Sequence, residues 1–212
     1  MWELLLPAIY ETLVMVIPST ILAMAIGFIL AIILVVTDKD GLRPNKIIYT
    51  ILDLAINLLR SFPFLILMVA IIPLTKAIVG TSIGEVAAIV PLTIASAPFV
   101  ARLIESALKE VDKGVIEAAK SFGASNFQII FRVMVKEAVP AIVAAITITI
   151  ISLIGYSAMA GTIGGGGLGD LAIRYGYHRF ETETMVITVI VLIIIVQILQ
   201  TLGNYFYKKL SR

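Results

Sequence analysis

Side chains that could perform catalysis or bind a metal are scarce in this sequence. There is no cysteine, and His178 is the only histidine among 212 residues. A metal centre, or a nucleophile with its base, needs several such groups at a defined spacing. We therefore predict no catalytic, metal-binding or cofactor-binding residue, and we expect that the chain is not an enzyme. The aromatic and basic residues around His178 indicate either a docking surface for another protein or a solvated loop.

The glycine run Gly164–Gly167 has the composition of a phosphate-binding loop. It lacks the Lys-Ser/Thr pair of a P-loop, which contacts the phosphates and magnesium. We predict that this chain does not bind nucleotide and that the glycines form an irregular turn. An ion-selectivity filter would need a repeated polar or carbonyl lining, and this run lies beside a hydrophobic stretch rather than within one.

Asp53, Asn57 and Arg60 are spaced at i, i+4 and i+7, which places them on one face of a helix. Asp53 and Arg60 are about 10 Å apart by helical rise, so we predict that they do not pair directly. Polar groups within a membrane span are costly and usually face protein or water. This face is either a polar track near a gate or dimer interface, or an interfacial Asp53 with Arg60 reaching toward headgroups.

Arg102 and Glu105 are spaced at i and i+3 on a predicted helix. Such a pair on an exposed helix surface contributes about 0.2–0.5 kcal/mol. We predict a structural surface pair where the third hydrophobic stretch leaves the membrane.

The segment from Asp112 to Pro140 contains consecutive helix start and stop signals. Asp112 can cap a short helix, and Gly123 can supply the left-handed residue that ends it. Ser125 and Gln128 then match a capping box that starts a second helix, predicted to run from Asn126 toward Lys136. The segment therefore predicts a helical hairpin, which either connects two spans or docks against a partner. Small residues along its first helix favour close approach by a partner.

The elements that position these residues are hydrophobic helices. Hydrophobic residues make up 60% of the chain and charged residues 14%, whereas soluble domains have about 45–50% and about 25%. Because a span needs about 20 apolar residues, we predict an all-α polytopic bundle with five spans. No basic residue precedes the first apolar run, so we expect a membrane span there rather than a cleaved signal peptide. The predicted spans are 14–36, 54–75, 83–101, 138–160 and 185–206.

The orientation follows from the basic residues, which favour cytoplasmic loops. Twelve of the 16 Lys and Arg residues fall on one side, three fall on the other, and Arg60 lies inside the second span. We predict an external N-terminus, a cytoplasmic C-terminus and a cytoplasmic loop over 102–137. The net charge of +2 is too small to suggest nucleic acid as a partner.

Four motifs resemble those of bacterial ABC-importer permeases. Glu117-Ala118-Ala119, followed after three residues by Gly123, is similar to the EAA loop of this family. The stretches RSFPF (60–64), SAPFVARLIESAL (96–108) and GYSAMAGTIGGGGLG (155–169) resemble the methionine-importer permeases. One departure is Val135-Lys136, where the family often has Leu-Pro.

The resemblance implies a single transmembrane domain over residues 1–212 that acts as a type I ABC-importer permease for methionine. A permease for another amino acid or small solute is the alternative. The implied partners are the lipid bilayer of a bacterial inner membrane, a second copy of this chain, a substrate-binding lipoprotein outside, and two cytoplasmic ATPases that bind ATP and magnesium. The residues implied in ATPase coupling are Glu117, Ala118, Ala119, Ser121, Gly123 and Ala124. The residues that we place at a translocation pathway or gate are Arg60, Tyr156, Ser157 and Met159.

Overall fold

A computed structural model describes residues 2–211, which are mainly helical and contain no β-strand. The helices Trp2–Thr37, Glu85–Lys109, Val139–Gly161 and Thr182–Leu210 are long and apolar enough to cross a membrane, and the bent pair Lys46–Ser61 and Phe64–Ala70 makes a fifth candidate span within the described residues. The all-α polytopic class predicted from the sequence is thus confirmed. The helices are α1 (Trp2–Thr37), α2 (Lys46–Ser61), α3 (Phe64–Ala70), α4 (Ile72–Val79), α5 (Glu85–Lys109), α6 (Lys113–Ser121), α7 (Asn126–Gln128), α8 (Val135–Glu137), α9 (Val139–Gly161), α10 (Gly167–Leu171) and α11 (Thr182–Leu210), with π-helical segments at Ile129–Met134 and Ala172–Tyr177.

Three of the long helices extend beyond the hydrophobic stretches from which they were predicted. Helix α1 begins at Trp2 instead of residue 14, α5 continues to Lys109, and α11 spans Thr182–Leu210. Hydropathy marks where the side chains are apolar, whereas a helix continues wherever its backbone hydrogen bonds do. The first eight residues of the predicted loop 102–137 therefore belong to α5.

The second predicted span, 54–75, is not one straight helix, because it is broken at Pro63. Helices α2 and α3 meet at an angle of 103°. Proline has no backbone N–H and disfavours the helical conformation of the residue before it. Phe62 is accordingly extended, with φ −76° and ψ 129°. The chain then continues through α3 and α4 to the turn that precedes α5.

Helix α5 packs along α1 and also contacts α2 and α9. Small residues permit this close packing, as is common between membrane helices. A Cβ at Gly27 would lie 2.5 Å from Cγ1 of Val100, so glycine is needed where the two helices approach. Ala23, Ala31 and Ala97 are fully or almost fully buried in the same interface. This packing places the last turns of α5 beside the ends of α1 and α2.

Candidate functional site

The short helix α6 is built by the caps that the sequence predicts. The Asp112 carboxylate accepts hydrogen bonds from the backbone N–H groups of Gly114 (2.7 Å) and Val115 (3.2 Å). At the other end, Gly123 has φ +79°, a conformation that favours glycine. Its N–H donates to the carbonyl of Lys120 at 2.9 Å, and the N–H of Ala124 donates to that of Ala119 at 3.1 Å. These two bonds form a Schellman motif, so the helix is sharply terminated.

The second half of the hairpin begins as predicted and then departs from a regular α-helix. Ser125 and Gln128 form the capping box, with the Ser125 N–H donating to the Gln128 side chain at 2.8 Å. The predicted single helix from Asn126 to Lys136 instead contains the π-helical segment Ile129–Met134. Such segments carry extra residues per turn and often occur at functional sites. The chain remains helical through Val135–Glu137.

The residues predicted to couple to an ATPase lie on a surface that the rest of this chain leaves open. No residue of α6 is buried, and Glu117, Ala118, Ser121 and Gly123 are all exposed. Ala119 and Ala124 are half-buried against the core beside the π segment. Phe122 is 91% exposed at the tip of the hairpin. Phe122 was not among the predicted coupling residues, although an aromatic residue directly before a helix-ending glycine could have marked it.

A chain of ion pairs joins the end of α5 to the helices on either side. Glu105 is only 4% exposed. One of its carboxylate oxygens accepts a hydrogen bond from Arg102, and the other accepts one from Lys109, each at 2.8 Å. Arg102 also donates to Asp53 and Asn57 on α2, and Lys109 forms an ion pair of 2.6 Å with Asp38 after α1. Glu105 therefore connects the two cations that bind α2 and the end of α1.

This arrangement corrects the prediction of a surface pair between Arg102 and Glu105. The carboxylate is buried because it lies between two cations on one face of α5, at i−3 and i+4. The hydrogen bond from Lys109 lowers the pKa of Asp38 below its ordinary value. A sequence signal did exist, since Arg102, Glu105 and Lys109 share one helix face, but their partners on α1 and α2 are distant in the chain.

A cavity of about 540 Å³ separates α6 from the connection between α1 and α2. Its lining includes Asp38 and Lys109 on one side and Glu117 and Lys120 on the other. Helix α6 is therefore held to the bundle mainly through its junction with α5 and its contacts with the π segment.

Two of the four predicted pathway residues meet at the break in the second span. Arg60 and Tyr156 line a common cavity of about 230 Å³. The Tyr156 ring stacks on Phe64, with centroids 4.8 Å apart. Ser157 is buried and donates to the carbonyl of Ile154 at 2.8 Å, so its hydroxyl faces its own helix. Met159 is 45% exposed and does not line this cavity.

The glycine run forms the irregular turn that the sequence predicts. Gly164, Gly166 and Gly167 all have positive φ, between 78° and 93°. The N–H of Gly167 donates to a carboxylate oxygen of Glu11 at 2.7 Å. Next to it, the N–H of Leu168 donates to the Thr12 hydroxyl at 2.9 Å. The run thus reverses the chain after α9 and fixes α10 against α1.

Comparison with known proteins places this architecture in a described family. The family described as binding-protein-dependent transport system inner membrane component matches residues 23–212. The chain is 53% identical over 209 residues to the probable D-methionine transport system permease protein MetI of Vibrio cholerae, covering 99% of this chain and 93% of that relative. It is 47% identical over 172 residues to the methionine import system permease protein MetP of Bacillus subtilis, covering 81% and 78%.

A solved structure has nearly the same fold. A chain of the MetNI methionine ABC transporter in an inward-facing conformation is 42% identical and superposes with a TM-score of 0.98. The similarity covers 100% of this chain and 98% of that one. A chain of an amino acid ABC transporter crystallised with histidines shares the fold with a TM-score of 0.81 at 21% identity.

Proposed function

This chain belongs to the family of binding-protein-dependent transport system inner membrane components, and we propose from this premise that it is the permease subunit of a methionine ABC importer. The observation that carries the assignment is the match along nearly the whole chain, by sequence and by fold, to permeases of methionine transport. These similarities favour methionine over another amino acid or small solute. Transport, and not catalysis, is the role of the chain.

The hairpin over residues 112–136 is the proposed contact with a cytoplasmic ATPase, which would bind ATP and magnesium. Its support is geometric. Helix α6 is capped at both ends, leaves Ala118 and Ser121 exposed, and presents Phe122 at its tip. The ion pairs through Glu105 join the preceding helix to α1 and α2. A displacement of α6 by the ATPase would therefore move the end of α5 together with the helices bound to it.

The complete importer is proposed to contain two copies of this chain, two ATPase subunits and an external substrate-binding lipoprotein, in the bacterial inner membrane. The exposed apolar faces of α2 and α11 support an assembly in which lipid and a second copy cover them. The translocation pathway would then lie between the two copies, near Arg60 and Tyr156.

We expect the reconstituted importer to take up methionine in preference to leucine. Proteoliposomes containing this chain with its ATPase and binding protein, supplied with each amino acid and ATP, provide the measurement. Vesicles without ATP serve as the control for leakage. Equal uptake of both amino acids, or uptake of an unrelated solute alone, would reject methionine as the substrate.

We propose that the end bearing α6 is cytoplasmic and that the glycine turn is external. The Gly84 N–H donates a hydrogen bond of 2.8 Å to the Gly164 carbonyl. The turn before α5 and the glycine turn therefore lie together, at the end of the bundle opposite α6. Since the chain has no cysteine, we expect Lys76→Cys to react with an impermeant thiol reagent in intact cells and Lys120→Cys to react only after the cells are opened. Labelling of Lys120→Cys from outside would overturn this orientation.

A further inference from the structure

We propose that the cavity at the break between α2 and α3 is a binding site within the membrane for the transported amino acid, in which Arg60 binds the carboxylate. This inference rests on the proposed function, since it assigns a place to the substrate of that importer. The cavity is lined by Leu59, Arg60, Phe62, Phe64, Leu67, Ala95, Phe99 and Tyr156.

The depth of Arg60 is the first observation. Ala95 and Phe99, which line the same cavity, lie near the middle of α5, so the cavity is far from both ends of that helix, and Arg60 is exposed there. A charge inside a membrane span is costly and usually marks a substrate or ion pathway. The position of Arg60 therefore points to a contact with substrate.

The second observation is that Arg60 has no anionic partner in the part of the chain that the structure describes. Asp53 and Asn57, the polar residues on its own helix face, are both bound to Arg102. Within residues 2–211, Arg60 forms neither an ion pair nor a side-chain hydrogen bond. Guanidinium groups match carboxylates in shape and can bind them through two parallel hydrogen bonds. A free carboxylate that enters the cavity would supply the missing anion.

The helix break supplies an acceptor beside this cation. The carbonyl of Leu59 would normally accept from the N–H four residues later, but residue 63 is proline and has none. Carbonyls left free at the end of a helix attract positive charge. Because Leu59 and Arg60 line the same cavity, a donor for the carboxylate and an acceptor for the ammonium group lie side by side. An α-amino acid carries both charges.

Besides Leu67 and Ala95, the remaining lining residues are aromatic. Phe62, Phe64, Phe99 and Tyr156 surround a volume of about 230 Å³, which suits a small solute better than a drug-sized ligand. A thioether makes favourable contacts with aromatic rings. The site therefore fits an amino acid with an unbranched, polarizable apolar side chain, and methionine has that chemistry.

The first test measures uptake and ATP hydrolysis by the complete importer in proteoliposomes. We expect Arg60→Gln to reduce the initial rate of methionine uptake by about tenfold or more, the effect of losing one charge-assisted hydrogen bond to the substrate. ATP hydrolysis should fall less than uptake, so that less methionine moves per ATP. Arg60→Lys should recover part of the uptake, and Arg43→Gln, which removes an exposed cation outside the cavity, should retain the parental rate.

The second test locates the substrate. A diazirine analogue of methionine with an intact carboxylate, photolysed during turnover, is expected to label residues within 59–64 or the rings of Phe99 and Tyr156. Arg60→Gln should lose this labelling. Parental uptake by Arg60→Gln, labelling confined to other parts of the chain, or an equal loss of uptake, hydrolysis and assembly would each overturn the site. Failure of the parent to import methionine would instead reject the proposed function.

Discussion

Replacement of Gly123 by valine is expected to abolish methionine uptake while the subunit still inserts and folds in the membrane. Gly123 has φ +79°, and a β-branched residue in that region is a steric outlier. The strain is of order 1–3 kcal/mol. A Cβ at this position meets no heavy atom of this chain within 4 Å. The substitution therefore distorts the backbone at the tip of the hairpin and leaves the packing of the bundle unchanged.

The measurements are copurification with the ATPase, ATP hydrolysis and uptake in proteoliposomes. Gly123→Asn is the matched control, because asparagine is of similar size but tolerates the left-handed conformation. It should keep much of the parental uptake if the backbone conformation is what matters. Glu117→Ala should have a small effect, since an exposed charge contributes about 0–1 kcal/mol. Parental coupling in Gly123→Val would show that the hairpin is only a connector.

Replacement of Glu105 by alanine is expected to lower the melting temperature of the purified subunit and to weaken the coupling of hydrolysis to uptake. The buried carboxylate accepts two hydrogen bonds from cations, and bonds to charged groups contribute about 1.5–3 kcal/mol each. Both cations keep a second partner, Asp53 or Asp38. We therefore expect the free energy of unfolding to fall by about 2–3 kcal/mol, which is less than the cost of leaving a buried charge unpaired. The substitution removes the connection between the Arg102–Asp53 pair and the Lys109–Asp38 pair.

Glu110→Ala is the control for this substitution, because Glu110 is exposed at the end of the same helix and takes part in none of the ion pairs described for residues 2–211. Glu105→Gln should be intermediate, since the amide keeps one acceptor oxygen but presents an NH2 donor to the other cation. Thermal unfolding of the detergent-purified subunit and the ratio of methionine imported to ATP hydrolysed are the two readouts. Unfolding of Glu105→Ala at the parental temperature would show that the buried bridge contributes no stability.

The features that could be predicted from the sequence are those determined within a few neighbouring residues. The caps of α6 depend on Asp112 and Gly123, and the cap of α7 depends on the pair Ser125 and Gln128, each acting on backbone groups two to five residues away. The glycine turn is local in the same way. For this reason both were recognised without knowledge of the fold.

The features that were missed depend on contacts between distant parts of the chain or on interruptions of a pattern. Averaged hydropathy does not register a single proline, so the prediction of a span over 54–75 did not include the break at Pro63. Arg102 binds Asp53, which is 49 residues away in the sequence, and Gly167 binds Glu11, which is 156 residues away. Helix periodicity cannot reveal such partners, because it shows which residues share a face but not what that face meets.

The π-helical segment Ile129–Met134 has a consequence for insertions and deletions in related sequences. A π turn contains one residue more than the α turn it replaces. Deletion of one residue there would restore a regular helix but rotate everything before it by about 100° about the axis that leads into α9. The direction in which the tip at Phe122 points, relative to the bundle, would then change. Chains that present this tip to the same partner should therefore conserve the number of residues between Gly123 and Pro140 more strictly than the identity of those residues.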